Sequence, residues 1–221
     1  MIKQYGPVRL LDIEAEAPQV WDFSGATHVR VDMRASSAAE TEMQRRGFLF
    51  ADRTLRVSVR LDRLPAGLDA MIRLPLADGV PYREDIYRMA CGAFADDRRF
   101  HVTPEPDAAL AAEVLRGWVD ALDDVLVCLV RGRPAGFLAL RAGEEGSLFV
   151  HLAAVEARFR ASGAAASLYA GACRLAARRG CRRLEGRVSS RNTAVMNLYA
   201  ALGASFSGPR DIFLMEVRHD A

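Results

Sequence analysis

The stretch RFRASGAAASLYAG, residues 158–171, comes two residues after the apolar run SLFVHLAAV at 147–155. It carries no nucleophile, no metal-ligand set and no paired carboxylates. It has a glycine, Gly163, and then a run of alanines opening a helical pattern that continues to about residue 179 and stops at Gly180. The order is therefore strand, tight loop, helix. The first N–H groups of a helix have no internal partner, and the helix dipole is positive there, so anions bind at this place. Small residues let a phosphate approach the backbone, because a Cβ or anything larger would block it. The stretch thus reads either as a pyrophosphate cradle or as a tight turn leading into an alanine-rich packing face. No GK[ST] follows, so it is not a triphosphate P-loop, and it is not a GxGxxG dinucleotide fingerprint.

Outward from this stretch the pattern stays regular. Towards the C-terminus, RRLEGRVS reads as a strand, NTAVMNLYAALG as a helix ended by Gly203, and DIFLMEVR as a closing strand. Towards the N-terminus, residues 124–155 give three strands separated by the turn sequences RGRP and AGEEG. REDIYRMACGAF and PDAALAAEVLRGWVDAL have helical spacing, and Pro106 with Asp107 supplies a start signal for the second. The segment at 65–83 is rich in Pro and Gly and reads as a linker. Before it, THVRVDMR and LFADRTLRVSVRL alternate as half-buried strands do. Between them lies a helix that Ser36 or Ser37 can cap and Gly47 can end. The expected organisation is a small α+β unit over 1–64, a linker over 65–83 and a larger domain over 84–221.

The totals narrow the classes. The chain has 221 residues, 51% of them hydrophobic, which is enough for one large domain or two small ones with a real core. A formal net charge of +2 makes no electrostatic case for nucleic acid or a membrane surface. The N-terminal sequence does not read as a signal peptide, and no apolar run approaches membrane-spanning length, so a cytoplasmic enzyme is expected. Cys91, Cys128, Cys173 and Cys181 form no CxxC pair and read as buried reduced thiols, with no metal site expected.

Spacing adds to the reading of the loop. Val155, Arg160, Gly163 and Ala165 form V-x4-R-x2-G-x-A, and Asn192, Tyr199 and Gly203 form N-x6-Y-x3-G downstream. The two together, in this order, resemble the acetyl-CoA signatures of the GCN5-related N-acetyltransferase (GNAT) superfamily over about residues 84–218. The N-terminal unit, GAFADDRRF, VLRGWVDAL and LYAALGA are more narrowly similar to bacterial TDP-fucosamine acetyltransferases, which acetylate the amine of a TDP-linked dideoxy sugar. The chain departs from the pattern at Ala157, where a proline is common, and at Arg160–Ala161, where an R-G pair is usual.

The resemblance implies an α/β fold: a mixed, mostly antiparallel sheet flanked by helices, with the small N-terminal unit added. It implies acetyl-CoA as co-substrate, no metal, direct attack of a free amine on the thioester, and a possible homodimer. By position it gives the pyrophosphate to the loop Arg160, Ala161, Ser162, Gly163, Ala164 and Ala165, and the pantetheine arm to the strand backbone at Ala153, Ala154 and Val155. Asn192 contacts the cofactor arm, or caps its helix, or both. Tyr199 donates a proton to the leaving thiolate, or else is a core tyrosine. His151 stands where many members carry a glutamate base; it serves as a base and acceptor contact, or is a satisfied strand histidine. Arg98, Arg99 and His101 are candidates for a sugar nucleotide, Arg99 above all. Trp21, Phe23 and Trp118 either stack on a base or anchor the core. The alternatives are another small-molecule or protein amine as acceptor, such as a polyamine, aminoglycoside or amino acid, and a CoA-binding module without turnover.

Overall fold

The computed structural model describes residues 2–105, 107–122, 124–144 and 146–217. The run that begins at the middle of the chain forms β6 (Asp124–Val130), β7 (Arg133–Ala142) and β8 (Ser147–Val155), an antiparallel meander. The β6–β7 turn places Arg131 at φ 50° and Gly132 at φ 74°, the left-handed pair that a two-residue hairpin requires. Helix α5 (Ala164–Arg178) crosses back, and β9 (Arg183–Ser189) returns parallel to β8. Helix α6 (Thr193–Ala201) and β10 (Ser205–Glu216) complete the chain.

The N-terminal residues do not stand apart from this half. Strands β1 (Ile2–Tyr5), β2 (Val8–Ala15), β3 (His28–Arg34) and β4 (Leu49–Arg60) join the same sheet. Its order is β1-β2-β3-β10-β4-β9-β8-β7-β6-β5. The last strand, β10, lies between β3 and β4, and β4 pairs with β9. Strands from both the 1–64 and the 84–221 segments thus share one ten-stranded sheet. The 65–83 segment holds the short helix α2 (Leu68–Met71) and the edge strand β5 (Leu76–Asp78). The Ser167 hydroxyl on α5 accepts the Arg73 and Leu74 amides at 3.1 and 3.3 Å and so ties this segment down.

Six helices flank the sheet among the described residues. Helix α1 (Ser37–Arg45) is capped by Ser36, whose Oγ accepts the Ala39 amide. Helices α3 (Arg83–Phe94) and α4 (Ala108–Asp120) pack on the opposite side of the sheet from α5. Asp107 caps α4 through the Ala109 and Leu110 amides, while Pro106 lies outside the described residues. The α3/α4 side buries Phe137, Ala139, Leu152 and Ala154; the α5 side buries Leu138, Leu140, Leu148 and Val150. Removing these side chains from water is the main favourable term holding the layers together. Arg218 of the expected closing strand lies outside the described residues.

Candidate active site

Strands β8 and β9 pair only from Ser147↔Arg183 to Val150↔Gly186, although β8 runs on to Val155 and β9 to Ser189. Beyond that point they splay. Their outer edges stay paired, β8 with β7 and β9 with β4, so the backbone groups of the last β8 residues face an opening in the middle of the sheet. The splay begins where β8 carries an extra residue. The register slips between Ala139↔Leu152 and Leu140↔Val150, which leaves His151 as a bulge. Val150 faces α5, Leu152 faces α3 and α4, and Ala153 faces α5 again. The bulge therefore turns His151 towards α4, where its ring stacks on Trp118 at 4.6 Å between centroids and 8° between planes.

A cavity of about 210 Å³ passes through this opening. From the α5 and α6 side it is lined by Tyr199, Tyr169, Asn192 and Val195; from the other side by His151, Trp118 and a set of arginines. Tyr199 is 2% exposed, and its ring meets Tyr169 edge-on at 4.9 Å. The two phenols act on each other's ionisation. Burial is the main reason Tyr169 is pushed up to about 12 and Tyr199 is raised well above 10, so both stay protonated in neutral solution. Asn192 caps α6, its Oδ1 accepting the Val195 amide at 3.2 Å, and it also lines the cavity.

Gly186 sits under Tyr199. A Cβ built there would lie 2.9 Å from the Tyr199 hydroxyl oxygen, closer than a carbon and a phenol oxygen tolerate. The Gly186→Ala variant is expected to fold, because Gly186 lies in regular strand and only the tip of one ring must move. If the Tyr199 hydroxyl takes part in the reaction, turnover should fall about tenfold, since a misplaced reacting group loses rate steeply. Unchanged turnover beside a normal melting curve would contradict the placement.

The loop before α5 is at the surface. A single 3₁₀ turn over Ala157–Phe159 leads to Gly163 at φ 85°, a left-handed conformation that side chains disfavour. The Ser162 hydroxyl accepts the Ala164 amide at 3.3 Å. The first amide of α5 to bond back within this turn is that of Ser167, to Gly163 O. The Gly163, Ala165 and Ala166 amides have no acceptor among the described residues, which fits a bound anion. Arg160, Ala161 and Ser162 are exposed beside them, while Ala164, Leu168, Ala170 and Ala172 are buried against the sheet. The alanine-rich stretch is thus a packing face with an anion-ready opening.

Among the other expected residues, Arg99 lines the cavity, while Arg98 and His101 do not. Arg98 donates to Pro104 O at 2.5 Å, and His101 is 3% exposed with Nε2 3.0 Å from Ala95 O. Trp21 and Phe23 pack edge-on against Phe48 near α1, away from the cavity, so of the three aromatics proposed to stack on a base only Trp118 lines it. Sequence reasoning missed Tyr169, Arg30, Arg141, Arg187 and Thr54. Thr54 lines the cavity from β4, and neither its Oγ1 nor the buried Oδ2 of Asp52, two residues earlier on the strand, has a hydrogen-bond partner among the described residues. Cys128 and Cys173 are buried, their thiols pushed up to about 11 and about 12, and are not nucleophiles; Cys91 and Cys181 are half-buried.

Comparisons with known proteins agree with this architecture. The model of the Acetyltransferase (GNAT) family matches residues 84–204, more than half of the chain. A search of the curated proteins gives no match. Among solved structures, a functionally unknown conserved protein from Staphylococcus epidermidis aligns with a TM-score of 0.65 at 15% identity, over 87% of this chain and 74% of that one. A GCN5-related N-acetyltransferase from Sphaerobacter thermophilus aligns with a TM-score of 0.62 at 19% identity, over 88% of this chain and only 61% of its own length. A putative GNAT-family acetyltransferase from Novosphingobium aromaticivorans aligns with a TM-score of 0.57 at 15% identity, over 86% and 75%. The chain belongs to the GNAT acetyltransferase family. It is an N-acetyltransferase, of a family that uses acetyl-CoA to modify small-molecule or protein amines.

Proposed function

We propose that the enzyme transfers the acetyl group of acetyl-CoA directly to the free amine of a nucleotide-linked amino sugar, a TDP-amino-dideoxy sugar in its narrowest form, in a ternary complex. The observation that carries this reading is the splay of β8 from β9, with Tyr199 at one side of the opening and His151 at the other. In this reading the free amides around Gly163 hold the pyrophosphate of CoA. Ala153, Ala154 and Val155 guide the pantetheine arm, and Asn192 meets it from the cap of α6. The amine enters from the α3/α4 side beside Arg99. Its nitrogen attacks the thioester carbonyl, the C–S bond breaks, and Tyr199 gives its hydroxyl proton to the departing sulfur. After the products leave, Tyr199 takes a proton back from solvent and His151 releases one to it, so the two proton transfers cancel. The proton lost by the nitrogen passes to His151.

The protonation state of His151 suits that task. Burial lowers its pKa below 6.5, and the Arg141 charge adds to the shift. The imidazole is thus neutral and able to accept a proton in neutral solution. The pH dependence follows with a definite sign. Turnover should be flat through pH 7 and fall only below 6.5, as pH drops through the depressed value, and His151→Gln should abolish that acid limb. Folding carries the same sign: the group costs nothing above 6.5, and native stability is lost as pH falls from 6.5 to its lowered pKa, below which the loss is complete. An acid limb that persists in His151→Gln would remove the base role.

The acceptor is tested by thiol release from acetyl-CoA against a panel: TDP-4-amino-dideoxy sugars, spermidine, an aminoglycoside and a lysine peptide. Turnover confined to the TDP sugars is the expected result. Turnover confined to spermidine or the peptide would keep the chemistry and replace the acceptor. Binding of CoA with no thiol release would leave a binding module.

A further inference from the structure

Four arginines line the cavity: Arg30, Arg99, Arg141 and Arg187. They are not equivalent. Arg30 is held by Asp12 through two hydrogen bonds of 3.0 and 3.1 Å. Arg99 is held by Asp97, with Asp52 3.7 Å away. The one carboxylate that lines the cavity, Asp32, is already engaged by Arg210 at 2.5 Å. Arg141 and Arg187 have no ion pair and no side-chain hydrogen bond among the described residues. Arg141 has only the face of Phe149, 4.8 Å from its guanidinium carbon. Arg187 is half-buried, and burial disfavours its charge; Asp32 and Glu14 attract it from a distance while Arg210 and Arg56 repel it.

Arg141 is exposed and water solvates its charge, but half-buried Arg187 is partly withdrawn from water without an anion, a cost to folding that is kept where a ligand supplies the missing charge. The positions of the two are specific. Arg187 follows Gly186, the residue under the Tyr199 hydroxyl, and since strand residues alternate it points to the other side of the sheet, that of His151. Arg141 is paired across the strands with Phe149, two residues before His151, on that same side. The two free cations thus flank the opening where an amine must stand to reach the thioester.

We infer that Arg187 and Arg141 form an anion subsite that holds a phosphate or carboxylate group of the amine acceptor on the α3/α4 side of the opening. This rests on the reading that the cavity takes the acceptor, and it narrows that acceptor to amines carrying an anionic oxygen group within an arginine's reach of the reacting nitrogen. It disfavours polyamines, whose cationic arms would meet two unneutralised guanidinium groups. The planar fork of arginine matches either phosphate or carboxylate oxygens in pairs.

The test does not depend on turnover. Pyrophosphate and glutarate are titrated calorimetrically into the full chain with CoA at saturation, so that the amides around Gly163 are already filled. The wild type should bind one of them. Arg187→Met should weaken that binding about tenfold or more and Arg141→Met severalfold, as expected for loss of a charge-assisted contact. Preference for pyrophosphate points to a phosphorylated acceptor, preference for glutarate to an amino acid. The melting temperature of Arg187→Met should be no lower than that of the wild type, because the removed charge has no partner in the fold. Equal binding by the variant, no anion binding by the wild type, or a marked fall in melting temperature would each overturn the subsite. Arginine-dependent anion binding in a protein that releases no thiol would instead leave the subsite standing and sink the acetyl-transfer reading.

Discussion

Tyr199→Phe should lower the turnover number of acetyl transfer by about a hundredfold, the usual contribution of a positioned general acid. The KM for acetyl-CoA should change little. The phenylalanine ring fills the same buried space and keeps the edge contact with Tyr169, so only the hydroxyl is removed. That hydroxyl lines the α6 side of the opening, and burial keeps its proton in place at neutral pH. Its polar neighbour in the fold is the Tyr169 phenol, so its removal should cost about 1 kcal/mol or less. A large kinetic effect with a small shift in melting temperature therefore separates catalysis from packing. Steady-state thiol release with both substrates varied reads the two constants. An effect on KM alone would make Tyr199 a cofactor contact rather than a proton donor.

Gly163→Val should act on the other substrate. The φ of 85° at Gly163 lies in the left-handed region, where an L residue pays roughly 1–2 kcal/mol and a β-branched one more. Nothing lies within 4 Å of a Cβ built there, so the protein itself offers no clash. The effect must come from the altered backbone and from the methyl groups now standing where an anion approaches the α5 amides. The expected result is a Kd for CoA weaker by about tenfold or more, with turnover at saturation nearly unchanged. Gly163→Ala should lie between. Equal CoA affinity in both variants would mean that the pyrophosphate is held elsewhere.

The parts of the fold that were legible in the sequence are local. Alternation, a small-residue loop and a helix of fixed spacing bracket β8, α5 and α6 within a few residues, because each is set by hydrogen bonds and side-chain periodicity inside one segment. The insertion of β10 between β3 and β4 is not local. It depends on which strand edges meet after the chain has folded, and residues 49–60 and 205–216 carry no sign of it. The hairpin β1–β2 is not legible because IKQYGPVRLLDIEA mixes charge into the edge strand β1 and its neighbour β2, where one face is wet.

The site divides in the same way. Tyr199, Asn192, His151 and Gly163 sit in motifs with fixed spacing. Arg187 was readable only as one polar position in RRLEGRVS, and Arg141 as one in GFLALRA; neither reveals a missing partner until the sheet is assembled. Trp21 and Phe23 failed as base-stacking candidates for the converse reason: a large aromatic gives the same sequence signal whether it faces a cavity or, as here, Phe48. Arg98 and His101 are close to Arg99 in sequence, but of the three only Arg99 lines the cavity.

The most direct test of acetyl transfer through the opened strands is mass analysis of a TDP-4-amino-dideoxy sugar after incubation with acetyl-CoA and enzyme, wild type beside Tyr199→Phe. An acetyl group on the sugar nitrogen, formed quickly by the wild type and about a hundredfold more slowly by the variant, is the predicted result. An enzyme that binds CoA yet leaves the amine unmodified, or a variant as fast as the wild type, would contradict it.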